Sequence, residues 1–119
     1  MPLIEIRALP QPAGVDVGRV LEAVTHGVAA VLGEESRGTW ATWEEIPFER
    51  YSEGGLTVTE QPASTHPPLV RVAGGGRPAE LVGRILDTVS EIMTRELGIE
   101  PGNAFVRYEE LPPERLRLG

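Results

Sequence analysis

The chain of 119 residues contains no cysteine and no run of basic residues, and these absences exclude several classes of function. Without cysteine, disulfide scaffolds, thiolate metal sites and cysteine nucleophiles are excluded together. The net charge is −7 and the 11 basic residues are scattered. Nucleic acids and anionic membrane surfaces both require a basic patch on their partner. We therefore expect neither nucleic acid nor membrane to be a partner.

Long hydrophobic runs and metal-binding spacings are also missing. No segment approaches the length of a membrane span and the N-terminus has no apolar signal region, so we expect a cytoplasmic protein. The two histidines, His26 and His66, are far apart in the sequence, and we expect both to be solvated and no metal to be bound. The glycine-rich segment that ends at Arg77 lacks the lysine and the hydroxyl residue of a phosphate-binding loop.

The sequence does contain an internal repeat. VGRVLEAV matches VGRILDTV, and WEEIPFER matches YEELPPER, both at a spacing of 65 residues. MPLIEIR likewise matches PPLVRVA, which aligns Pro2 with Pro68. Self-similarity at a fixed spacing indicates tandem copies of one structural unit. We therefore predict two repeats, at about 2–55 and 67–119, joined by a connector over 56–66.

Each repeat has the pattern of a strand, a helix and a second strand. Residues 2–7 alternate between apolar and polar side chains, as half-buried strands do. Apolar residues then recur at helical spacing between Asp16, a predicted N-cap, and Gly33, a predicted C-cap. Residues 39–46 indicate the second strand. The second repeat predicts a strand near 69–73, a helix over about 82–97 and a strand near 104–110.

Neither repeat has enough residues to bury a core alone, so we expect the two to share one sheet. The prediction is an α+β fold in a single domain, 1–119, with a four-stranded mixed sheet and two helices on one face. We also expect a short hairpin strand over 56–59. Trp40 and Trp43 should point to opposite sides of the sheet. The face without helices should then be apolar and covered by a symmetric oligomer.

These features resemble the tautomerase superfamily. The residues that carry the resemblance are the start Pro-Leu-Ile-Glu-Ile, the strand-helix-strand unit and the turn at Gly54-Gly55. The duplicated form, about 120 residues long, is similar to 5-carboxymethyl-2-hydroxymuconate isomerase and to macrophage migration inhibitory factor, and VAGGGRPAE is nearest to the isomerase. The resemblance implies a homotrimeric enzyme that needs no cofactor and serves the catabolism of aromatic compounds.

The resemblance also implies a catalytic residue. In that superfamily the N-terminal proline amine moves the proton, which maps onto Pro2 once Met1 is removed. A base of this kind works best when its pKa lies near the operating pH, and an apolar pocket with nearby arginines favours the neutral amine. The implied function is a tautomerase or isomerase of small 2-oxo or 2-hydroxy unsaturated carboxylic acids.

Four further residues are predicted to bind substrate by the same resemblance. Arg77 is the first choice, because a guanidinium holds a carboxylate through two parallel hydrogen bonds. Arg37, just before the second strand, is close to the position where the isomerase branch carries a second substrate-binding arginine. Short family members carry that arginine within the strand, at the position that Trp40 occupies here. Tyr51 matches an aromatic pocket wall. Arg71, in the middle of a strand, is either a substrate ligand or half of an interface ion pair, and the ion pair is slightly favoured.

Three alternatives remain open at this point. Relatives that hydrate, dehalogenate or decarboxylate three-carbon acids need an additional group to activate water. A non-enzymatic interaction protein or a ferredoxin-like small-molecule sensor would have no use for a proline amine. While Met1 is attached, the nitrogen of Pro2 is an amide without basicity, so retention of Met1 favours these last two alternatives.

Overall fold

Four strands in one sheet and two long helices make up the computed structural model, which describes all residues, 1–119. The strands are β1 (Leu3–Ala8), β2 (Trp40–Glu45), β3 (Leu69–Gly74) and β4 (Phe105–Glu110), and the helices are α1 (Val17–Leu32) and α2 (Ala79–Leu97). The sheet order is β2-β1-β3-β4. Strands pair in parallel within each repeat, and β1 pairs antiparallel with β3. The predicted α+β fold with a mixed four-stranded sheet is confirmed.

Three of the four helix ends lie where the sequence places them, whereas α2 begins at Ala79, before the predicted start near 82. The side chain of Asp16 accepts a hydrogen bond from the backbone N–H of Arg19 and caps the start of α1. Gly33 and Gly98 end the two helices with φ angles of 67° and 66°. Glycine adopts this left-handed conformation without the steric cost of a Cβ atom, which is why both helices stop there.

The core lies between the helices and one face of the sheet. It contains 13 buried residues, among them Ile4 and Ile6 from β1 and Val70 and Val72 from β3. The helices approach closely at Gly27, where an added Cβ would lie 2.6 Å from Cδ1 of Ile92. Both repeats therefore contribute to one continuous core. A shared core is expected because each repeat alone is too small to bury enough apolar surface.

The sheet face that the helices leave open differs from the prediction. Trp40 is 42% exposed on this face, whereas Trp43 packs against the core, so the two tryptophans do point to opposite sides. The centre of the open face is charged, however, because Glu5 and Arg71 pair across β1 and β3. The prediction of an apolar face is therefore wrong. The exposed aromatic residues of the open face, Trp40 and Phe105, lie at opposite corners of the sheet.

The connector contains less strand than expected. The predicted hairpin strand over 56–59 is reduced to a single antiparallel bridge between Glu53 and Leu56. Gly54 and Gly55 form the turn between them with φ angles of 59° and 85°.

His66 contradicts the prediction that both histidines are solvated, because its side chain is fully buried. Its Nε2 lies 2.9 Å from the carbonyl oxygen of Leu56, and its Nδ1 lies 3.0 Å from Oγ1 of Thr65. The ring also contacts Tyr51 edge to face, with centroids 5.1 Å apart. His66 therefore holds the connector together, whereas His26 on α1 is exposed as predicted.

Neither helix is long and apolar enough to span a bilayer.

Candidate functional site

Pro2 is buried at the end of the sheet where β1 begins. Its carbonyl oxygen accepts a hydrogen bond of 3.0 Å from the backbone N–H of Trp40 in β2. On the other side, the β1–β3 register places Gly74 opposite Pro2, and an added Cβ on Gly74 would lie 3.7 Å from the Cα of Pro2. Because β1 is a central strand, Pro2, which directly precedes it, has neighbouring chain segments on both sides.

The alternation of side chains decides which way Pro2 faces. Ile4 and Ile6 point into the core beneath the helices. Since every second residue of a strand lies on the same face, Pro2 is also directed to the helical side. Pro2 is therefore buried on the same side of the sheet as the core.

Arg77 lies in the turn between β3 and α2, at the same end of the sheet as Pro2. Its side chain is only 19% exposed, and its Nη2 is 4.0 Å from Oε2 of Glu34, just beyond the end of α1. Its Nε is buried and has no hydrogen-bond partner. A buried donor on a cation without a partner suits a carboxylate ligand. The structure thus brings the first two predicted site residues to one end of the sheet.

Two hydroxyl groups at this end were not predicted from the sequence. Thr39 is 4% exposed, and its Oγ1 has no hydrogen-bond partner. The hydroxyl of Tyr108 donates to the carbonyl oxygen of Gly75. An added Cβ on Gly74 would lie 2.8 Å from that hydroxyl oxygen, so the absence of a side chain there makes room for Tyr108. The pairing of the strands places Thr39 opposite Pro2 and lets Tyr108 reach Gly75 at the end of β3.

Arg37 lies at the correct end of the sheet but faces solvent. It belongs to a short 3₁₀ turn, Ser36–Gly38, that leads into β2. Its side chain is 90% exposed, and its Nε is 3.5 Å from Oε2 of Glu35, which is also exposed. Within one chain, Arg37 therefore makes no contact with the buried residues around Pro2.

Tyr51 lies elsewhere in the chain. Its hydroxyl donates a hydrogen bond of 2.6 Å to the carbonyl oxygen of Pro67, shortly before β3. The start of β3 is at the end of the sheet away from Pro2, because β3 runs antiparallel to β1. Burial, with a contribution from the charge of Glu53, raises the pKa of Tyr51 above its ordinary value of 10.0.

Arg71 lies in the middle of the open sheet face and forms ion pairs with Glu5 and Glu109 of the same chain. The hydrogen bond from Arg71 lowers the pKa of Glu109 below its ordinary value of 4.5, and the two carboxylates raise the pKa of Arg71. A cavity of about 260 Å³ next to Arg71 is lined by further residues, including Arg7 and Phe105, at the end away from Pro2. This cavity is thus separate from the Pro2 site.

No protein-family model and no curated protein matches the sequence. Solved structures match over 98% of the chain. Pt0534 inactivated by 2-oxo-3-pentynoate gives a TM-score of 0.85 at 19% identity over 90% of its chain. The wild-type symmetric trimer of fused 4-OT gives a TM-score of 0.82 at 17% identity over 90% of its chain. Malonate semialdehyde decarboxylase gives a TM-score of 0.73 at 17% identity, also over 90% of its chain. The chain has the tautomerase fold, as its resemblance to the superfamily predicted.

Proposed function

We propose that the protein is a cofactor-independent tautomerase or isomerase of small 2-oxo or 2-hydroxy unsaturated carboxylic acids. The observation that carries the proposal is that Pro2 and Arg77 lie at one end of the sheet, the first buried and the second with a buried, unpartnered Nε. Pro2 supplies the base and Arg77 the carboxylate site.

The reaction requires a free amine. Removal of Met1 converts the amide nitrogen of Pro2 into a secondary amine with a lone pair. This amine takes the proton from the 2-hydroxyl group of a dienol and returns it to carbon, so that a 2-oxo acid forms and the base is regenerated. The burial of Pro2 and the positive charge of Arg77 both disfavour protonation of the amine and thereby keep it available as a base.

Arg77 has two tasks in this mechanism. Its guanidinium binds the substrate carboxylate, and its charge stabilises the negative charge that develops on the adjacent 2-oxygen. Nη2 lies 4.0 Å from Glu34, whereas Nε has no partner in the chain and is available to the substrate carboxylate.

The solved structures with this fold support the choice of substrate class. Pt0534 is inactivated by 2-oxo-3-pentynoate, a small 2-oxo acid, and fused 4-OT forms a trimer. By extension, we propose that this chain also binds small 2-oxo acids and forms a homotrimer. Its strands β2 and β4 are the sheet edges, whose free backbone groups are available to a neighbouring subunit. We further propose that it acts in the cytoplasm, in the breakdown of aromatic compounds.

The role of Arg77 is tested with a matched pair of arginine variants. Arg84 on α2 is exposed and forms no ion pair, so Arg84→Ala is the control. With 2-hydroxymuconate and phenylpyruvate as substrates, we expect Arg77→Ala to lower kcat/KM by about 100-fold and Arg84→Ala to leave it unchanged. Equal activity in the two variants would remove Arg77 from the site.

A second reaction is favoured by one observation. The carboxylate of Glu34 lies 4.0 Å from Nη2 of Arg77, where it could activate a water molecule for hydration or decarboxylation of a three-carbon acid. Malonate semialdehyde decarboxylase shares the fold. This alternative predicts turnover of malonate semialdehyde that Glu34→Gln abolishes, whereas the tautomerase would retain its activity in that variant.

A further inference from the structure

The hydroxyl of Thr39 is the most unusual polar group at the Pro2 end of the sheet. The residue is 4% exposed, yet its Oγ1 has no hydrogen-bond partner in the chain. Buried hydroxyl groups are almost always paired, because burial without a partner is unfavourable. The backbone of Thr39 is fixed, since its N–H donates to the carbonyl oxygen of Ser36. The side chain therefore stays at this position and requires a partner from its immediate surroundings.

The strand register places Pro2 next to Thr39. Leu3 pairs with Trp40 in the parallel β1–β2 ladder, and one step earlier Pro2 stands opposite Thr39. Neighbouring strands lie about 4.8 Å apart, and paired residues of a parallel ladder direct their side chains to the same face. The carbonyl oxygen of Pro2 bonds to β2. In a strand, the nitrogen and carbonyl of one residue point to the same side, so the nitrogen of Pro2 is also directed to β2.

The hydrogen-bonding chemistry of this nitrogen depends on whether Met1 is attached. While Met1 is attached, the proline nitrogen is a tertiary amide with no hydrogen to donate and no basic lone pair to accept. After Met1 is removed it is a secondary amine with both. The hydroxyl of Thr39 can serve as donor or acceptor and thus match the amine in either protonation state.

We propose that Thr39 Oγ1 is the hydrogen-bond partner of the Pro2 amine and that this bond forms only when Met1 is removed. The bond fixes the orientation of the pyrrolidine nitrogen toward β2. The inference rests on the free amine that the proposed function also requires, but it does not depend on which substrate is turned over.

A thermal-stability cycle tests the proposal without an activity assay. Thr39→Val, which removes the hydroxyl at nearly constant shape, is made in the processed protein and in a form whose N-terminal extension keeps an amide at Pro2. We expect the variant to lower Tm by a few degrees in the processed protein only, and Thr39→Ser to restore it. With the extension, Tm should stay the same or rise, because valine removes an unpartnered hydroxyl. Equal changes in both forms would overturn the proposal.

Kinetics provide a second readout. Thr42 also lies in β2 but is exposed on the open face, so Thr42→Val is the matched control. In the processed protein, we expect Thr39→Val to lower kcat about 10-fold with KM unchanged and Thr42→Val to change neither value. A rise in KM alone, with no difference in the stability cycle, would show that Thr39 binds substrate, and the proposal would be wrong. If no substrate is turned over, the stability cycle still decides the matter.

Discussion

Gly74 and Pro2 face each other across the β1–β3 pair, so closely that a methyl group on Gly74 would lie 3.7 Å from the Cα of Pro2. The same methyl group would lie 2.8 Å from the hydroxyl oxygen of Tyr108, which crosses Gly74 to reach Gly75. The absence of a side chain at Gly74 therefore makes room for the hydroxyl of Tyr108 at the end of the sheet where β1 begins.

Gly74→Ala should displace the hydroxyl of Tyr108 and break its hydrogen bond to Gly75. We expect a loss of about 1–3 kcal/mol in the free energy of unfolding, from overpacking and a lost buried hydrogen bond. Gly83→Ala is the control, because an added Cβ there meets nothing within 4 Å and alanine favours the helix. Urea denaturation of both variants measures the difference, and a Gly74→Ala protein as stable as wild type would refute the close contact.

His66→Leu should weaken the connector. The substitution fills the buried position with an apolar side chain but leaves the carbonyl of Leu56 and the hydroxyl of Thr65 without their imidazole partner. We expect the free energy of unfolding to fall by about 1–3 kcal/mol, measured by chemical denaturation. His26→Leu, at an exposed position on α1, should have an effect close to zero. Equal effects from the two histidines would mean that His66 is not held by these contacts.

The ion pairs of Arg71 should make stability depend on acid pH. The folded protein lowers the pKa of Glu109 below 4.5, so this carboxylate contributes stability above pH 4.5. The contribution is lost as the pH falls through the lowered pKa. Arg71→Met should therefore destabilise the protein at neutral pH, and the difference from wild type should shrink near pH 3. Urea midpoints at both pH values measure it, and a difference independent of pH would contradict the assignment.

The sequence predicted what depends on local or periodic information. The repeat, the two helices with their glycine ends and the strands follow from patterns within each segment, and the mixed sheet follows from the need to share a core. Pro2 and Arg77 were identified because they lie within motifs that resemble a known superfamily.

The residues that were missed depend on distant partners. His66 is buried with its Nε2 beside the carbonyl of Leu56, a contact across the connector that the residues next to His66 do not indicate. The open face is charged because the antiparallel register sets Glu5 against Arg71. Thr39 became a site residue only once the parallel register placed it opposite Pro2.

Covalent labelling of the N-terminus tests the central claim most directly. The chain contains neither cysteine nor lysine, so after removal of Met1 its one amine is that of Pro2. Processed protein is incubated with 2-oxo-3-pentynoate, whose activated alkyne accepts addition of an amine, and the adduct is located by peptide mass spectrometry. The account predicts one adduct on Pro2, formed in parallel with loss of tautomerase activity. An intact mass that retains Met1, or a fully active protein without the adduct, would contradict catalysis by the Pro2 amine.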